Sequence, residues 1–355
     1  MGRRSPEPPT TTILLTWGLF GILMHSFGFK VVPSEKDGSG VPVAVAGQTM
    51  VDIQRLLTDI GSMIVRMELR IQNGRPQKLA SKFDLNIGGT SGSGIGSDPK
   101  AGSDALMEDA LNALCSTLEF LGKGVVGTWM EDNFPEPVGR RDIARGIIDL
   151  AEHISGYTLV YGRGDVTNEF KDVNREKLRI YADQDVSTIG AAFIGRIARD
   201  TVRKNRWNIS NGNGEVEITF GQNIAPSDIP SFASAGPVIV IGNIVRDGDG
   251  IKEIRNTSGC YTFPTVKFHR IITSDRDIVL FNPAMAAPSI DQRGHWHLTS
   301  DILGIDVSKP SWDECVMAYH EYFAFLWENY CESEDVFEGE EKEIQDFLRS
   351  LAPVS

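Results

Sequence analysis

Cysteine is scarce and scattered: 355 residues contain only four. Cys115, Cys260, Cys315 and Cys331 form no C-x-x-C pair and no zinc-ligand spacing. That excludes a disulfide-stapled miniature domain and a zinc ribbon, and it points to a reduced, cytoplasmic setting. Catalytic signatures are missing too, with no G-x-S-x-G, no H-E-x-x-H and no paired carboxylates. A glycine-rich run at 88–97 follows a strand-like 83–87, but Lys100 is followed by Ala101 where a phosphate loop needs Ser or Thr for magnesium, so the run reads as a loop. Positive charge is in deficit, 35 Lys and Arg against 48 Asp and Glu, a net charge of -13. Such a field opposes indiscriminate binding of nucleic acid or anionic membrane by the whole molecule and leaves only local basic patches. The acidic run from Glu332 to Glu343 lacks the glycine and ligand spacing of a calcium loop and reads as a solvated last helix.

Long apolar runs are also lacking. Residues 13–23 are almost wholly apolar but short of the roughly 20 residues that a bilayer span needs. Three readings of 1–32 stay open: a misassigned start with Met24 as the true initiator, a membrane anchor or signal peptide, and a buried apolar segment. A membrane partner follows only from the second. In the first, Phe27, Phe29 and Val31 alternate as an opening strand.

What is present is ordinary globular material, 41% hydrophobic and 23% charged. Residues 49–69 predict a helix with Ile53, Leu56, Leu57, Ile60 and Ile64 on one stripe and Asp52, Arg55, Asp59 and Arg66 off it. Further helices are predicted over 104–121 and 141–153, with 129–137 as a turn and 157–161 as a strand. His153, alone near a helix end, suits the negative pole of the helix dipole. From 178 the texture changes to short strands, at 178–182, 191–198, 207–210, 215–220, 238–245 and 251–255. Turn chemistry such as Asn211-Gly212-Asn213-Gly214 separates them, the pattern of a small closed barrel of OB or SH3-like kind.

That stretch carries the basic patch. Arg196, Arg199, Arg203, Lys204 and Arg206 surround Trp207, and guanidinium groups beside an aromatic ring are what single-stranded nucleic acid binding uses. The competing reading is a solvated hairpin tip whose arginines pair with the abundant acids elsewhere in the chain. His295 and His297, two apart on a predicted strand, could share a metal with His320 or Glu321, and His269 with Asp275 or Asp277 could do acid–base work. No nucleophile accompanies either set.

Near the C-terminus His295-Trp296-His297-Leu298, Leu303-Gly304-Ile305-Asp306-Val307, Trp312-Asp313-Glu314-Cys315 and Phe323-Ala324-Phe325-Leu326-Trp327-Glu328-Asn329-Tyr330 follow as strand, strand and helix, with Ser311 and Glu314 placed as a capping box. This run resembles the strand-strand-helix core of HicB-type antitoxins and, more closely, the C-terminal module of an uncharacterised prokaryotic multidomain family ending in an acidic tail. The resemblance implies a catalytically inert RNase H-like module that sequesters a protein partner. No helix-turn-helix or ribbon-helix-helix candidate follows it, which argues against DNA-binding autoregulation.

The sequence therefore predicts an α+β protein. Its parts are a leader (1–32), a helix-strand domain (33–176), a small β-barrel (177–272) and a HicB-like strand-strand-helix module (273–355). The expected role is binding or regulation through a macromolecular partner, with no cofactor. A nucleic-acid-binding barrel using Arg199, Arg203, Lys204, Arg206 and Trp207 is the first alternative, and a metal-dependent enzyme around His295 and His297 the second.

Overall fold

The computed structural model describes residues 12–14, 27–34, 40–69, 83, 103–163, 166–185, 190–203, 206–247 and 250–351. The protein is a mixed α+β chain forming two compact units, the first made mainly of residues up to 184 and the second of residues from 185 on together with 64–69 and 103–104.

In the first unit β1 (Thr12–Leu14), β2 (Phe27–Pro33), β3 (Tyr157–Arg163) and β4 (Val166–Phe170) form an antiparallel sheet in that order. Phe29 and Val31 are buried, as their alternation predicted. Helices α1 (Val43–Leu69), α2 (Ser103–Gly122), α3 (Gly127–Asn133), α4 (Pro137–His153) and α5 (Arg175–Ala182) complete the element set. Tyr161 on β3 donates to the Cys115 carbonyl of α2 at 3.4 Å. α1 and α4 approach closely because Gly146 lacks a Cβ, which would lie 2.7 Å from Leu56. Asp52 and Asp59, expected off the apolar stripe of α1, are buried. Asp52 accepts from Gln48 at 3.0 Å and pairs with His153 Nδ1 at 2.7 Å, so His153 is a tie between helices and not the isolated residue it looked.

Two assignments in this region are corrected. Residues 129–133, the first part of the turn expected over 129–137, belong to α3, which presents buried Met130 to the core. Residues 178–182, expected as a strand, belong to α5, because Asn174 caps that helix by accepting from the Lys177 N–H and Leu178, Tyr181 and Ala182 are buried at helical spacing. Of the predicted strand at 83–87 only Phe83 is described; it is buried against Gly61 and is not in a strand. The rest of that run and the glycine-rich run lie outside the described residues.

The second unit begins with a closed five-stranded barrel of β5 (Gly190–Arg199), β6 (Trp207–Ser210), β7 (Glu215–Phe220), β8 (Pro237–Asp247) and β9 (Gly250–Thr262). Around the barrel the order is β5-β6-β7-β9-β8 and back to β5. Every pair is antiparallel except β7 with β9, and the short helix α6 (Ile229–Ser234) lies between β7 and β8. Phe193, Ile197, Ile209, Val216, Ile218, Val238, Val240, Ile244, Ile254 and Cys260 fill the interior. Closure leaves no unpaired sheet edge, which stabilises short strands.

After the barrel come β10 (Val266–Ile272), β11 (Asp277–Ile290), β12 (Trp296–Ser300) and β13 (Ile305–Lys309), a four-stranded antiparallel meander. Two further corrections follow. Residues 266–272, placed in the barrel, hydrogen-bond to β11 and belong to this sheet, and four strands rather than two precede the helix. α7 (Trp312–Tyr330) covers one face, with Trp312 against Trp296 at 5.1 Å between ring centroids and Tyr319 against Phe268 at 5.2 Å. Ser311 caps α7 by accepting from the Glu314 N–H at 3.3 Å, one half of the expected box. α8 (Gly339–Leu351) exposes Glu340, Glu341 and Glu343 and buries Leu348 and Leu351, while Glu332, Glu334, Asp335 and Glu338, expected in this helix, precede it. The β6–β7 turn meets the start of α7, where the Asn211 carbonyl accepts from the Trp312 N–H at 2.8 Å. No helix among the described residues is long and apolar enough to cross a membrane.

Candidate ligand-binding surface of the barrel

Arg199, Arg203 and Arg206 of the predicted set lie together on the β5–β6 turn and the strand ends beside it. Asp200 shapes this turn. Its carboxylate accepts from the N–H groups of Val202 and Arg203, each at 2.8 Å, and those bonds hold its carboxyl below the usual carboxylate range. The Arg206 N–H donates to the Arg203 carbonyl at 2.8 Å, and the Asp200 N–H to the Arg206 carbonyl at 3.0 Å. Arg203 and Arg206 thus leave a backbone fixed by its own hydrogen bonds. Lys204 lies outside the described residues.

Arg199 pairs with Trp207 across β5 and β6, and its guanidinium lies over the indole ring 5.9 Å from the ring centroid. Trp207 is half-buried and packs on the barrel core, so it closes the barrel end under a cation instead of standing free as a stacking platform. Arg196 is exposed farther along β5.

Sequence reasoning missed the acidic partner of this turn. Glu217 on β7 accepts from Arg206 Nη1 at 2.6 Å and 2.5 Å through its two carboxylate oxygens, and Arg203 Nη1 lies 3.9 Å away. The signal was available: in Glu215-Val216-Glu217-Ile218 the apolar residues point into the barrel, so both carboxylates must face out beside β6. Glu215 accepts from Asn208 at 3.1 Å. Glu217 is in register with Glu253 of β9, which is itself paired with Arg255. The outer face of β6, β7 and β9 is therefore a row of ion pairs and polar groups, able to hold a ligand by charge and hydrogen bonding.

The other predicted chemistry is committed elsewhere. His320 is fully buried in α7, its Nδ1 accepts from the Ile272 N–H at 3.0 Å, and burial pushes its imidazole down to about 3. His297 lies 3.6 Å from both Asp291 and Asp306, and Ser308 lies 3.3 Å from its Nε2. Among the described residues no group of three or more His, Cys, Asp or Glu is placed to hold a metal ion. Asp277 forms a buried ion pair with Arg270, while His269 is exposed on β10. Burial pushes the thiols of Cys260 and Cys331 up to about 11 and that of Cys315 up to about 12, which keeps them protonated near neutrality. No family model, curated protein or solved structure was found to match the chain.

Proposed function

We propose that this protein acts by binding, and that its barrel is an OB-type module taking a single-stranded nucleic acid at the β5–β6 turn. One observation carries the reading. The order β5-β6-β7-β9-β8, with β7 and β9 parallel and a helix between β7 and β8, is that of an OB barrel, whose second and third strands and adjoining turns bind oligonucleotides or oligosaccharides. Arg199, Arg203, Arg206 and Trp207 occupy the turn before the second strand and the strand ends beside it. Charge selects the oligonucleotide over the sugar polymer, because a guanidinium donates to a phosphate in two parallel bonds.

The test is anisotropy of a fluorescent oligothymidylate with the full chain at two salt concentrations. Three phosphate contacts on a single strand give a slope of about -2 in log K against log salt, or roughly a 20-fold loss over a fourfold rise in salt. Arg206→Ala weakens binding and flattens the slope. Salt-independent binding, or binding indifferent to Arg203→Ala and Arg206→Ala, overturns the assignment.

A second reading is a protein-docking role for the antitoxin-like C-terminal module. It is favoured by β11, which exposes Val279, Phe281 and Met285 at 53%, 77% and 50%. Co-expression with the product of an adjoining gene tests it. A stoichiometric complex that Phe281→Asp dissolves supports this role, and no complex counts against it.

A further inference from the structure

Glu217 is placed where a ligand phosphate would be. Its two oxygens take Arg206 Nη1 from one side, and Arg203 reaches the same carboxylate. The other acids of this face hold other groups: Asp200 takes backbone N–H of the turn, Glu215 takes Asn208, and Glu253 takes Arg255. Among the described residues, then, one carboxylate occupies the turn's two guanidinium groups. The pair is not sunk in the core, since the side chains of Arg206 and Glu217 are 46% and 35% exposed. Exposed pairs of this kind contribute little, because water screens both charges. A weak, half-exposed pair opens readily to a polyanionic competitor.

We infer that Glu217 is a built-in competitor for the phosphate backbone, an internal anion that holds Arg203 and Arg206 in their binding geometry and is displaced when the ligand arrives. This rests on the nucleic-acid reading of the same surface and goes beyond it by assigning a residue that sets affinity without touching the ligand. Two consequences follow. The free protein keeps its arginines ordered while presenting little net positive charge, so casual anions are excluded. Binding then requires an anion able to outcompete a carboxylate at both guanidinium groups, which a polymeric phosphate does and a single chloride does not.

The experiment compares wild type, Glu217→Gln and Glu215→Gln in oligothymidylate binding, with melting curves as the check on folding. Glu215→Gln removes the same charge from the same strand yet releases no arginine. Glu217→Gln is expected to tighten binding roughly three- to tenfold at low salt and to leave the salt slope as it is, because the same phosphates are contacted once the ligand is bound. Glu215→Gln gives less than half that gain. Equal gains from the two substitutions, or none from Glu217→Gln while wild type binds normally, overturn the competitor role and leave the nucleic-acid reading standing. Failure of all three proteins to bind at low salt overturns that reading and this inference with it. If Glu217→Gln alone fails to fold, Glu217→Ser in its place answers the same question, with the same outcomes deciding.

Discussion

At the scale of single residues, two buried polar groups are the sharpest liabilities of the second unit. His320 sits edge-on to Phe268 with ring centroids 4.7 Å apart, and its Nε2 has no hydrogen-bond partner among the described residues. Burial moves its imidazole from the ordinary 6.5 down to about 3, so the folded protein refuses a proton that the unfolded chain accepts. The stability this contributes is complete above about pH 6.5 and falls as pH drops toward 3, by up to about 1.4 kcal/mol per pH unit. Urea denaturation at neutral and mildly acid pH is expected to register that loss, and His320→Gln to flatten it. Arg270 and Asp277 form the second liability, a bidentate pair with bonds of 2.5 Å and side-chain exposures of 8% and 0%. Asp277→Asn leaves the guanidinium buried beside a neutral amide and is expected to cost about 3–5 kcal/mol by chemical denaturation, more than joint replacement of both residues by apolar ones. Neither commitment was legible in the chain. The two histidines and the aspartates invited catalytic or metal readings, because spacing reports residue type and not which groups fold inward together.

Among elements, the β6–β7 hairpin and α7 depend on each other. Gly212 has φ 95°, and a Cβ there would lie 1.9 Å from the Pro310 carbonyl oxygen just before the α7 cap. Gly212→Ala therefore combines backbone strain with a clash and is expected to cost at least about 2 kcal/mol in a thermal melt. Ser311→Ala removes the acceptor for the Glu314 N–H and is expected to cost about 1 kcal/mol. These elements read well from sequence: the strands at 207–210 and 215–220 match β6 and β7, and the cap of α7 falls at Ser311 as expected. Their signals are local, an alternating pair of runs around an Asn-Gly turn and a Ser set before an amphipathic stripe. α5 and β10 read badly for the opposite reason. A short segment such as 178–182 fits either period, and 266–272 has no local mark of the sheet it will join.

For the whole molecule, charge sets the behaviour. Net charge is -13 at pH 7 and the isoelectric point is about 5.0, so self-association measured by light scattering should rise as pH falls toward that value, just where His320 also costs stability. Against that negative field the turn at Arg203 and Arg206 is a local exception, and Glu217 neutralises much of it in the free protein. By itself the sequence determined the α+β composition, the existence of a strand-rich middle region, the basic turn and the capped helix α7. Each depends on neighbours in the chain, where propensity and periodicity act. Only the tertiary structure decided the strand order that closes the barrel, the assignment of residues 266–272 to the C-terminal sheet, and the carboxylate that meets the arginines. Those are pairings between residues distant in sequence, selected by the free energy of burying one apolar face on another, and no window of local pattern contains both partners.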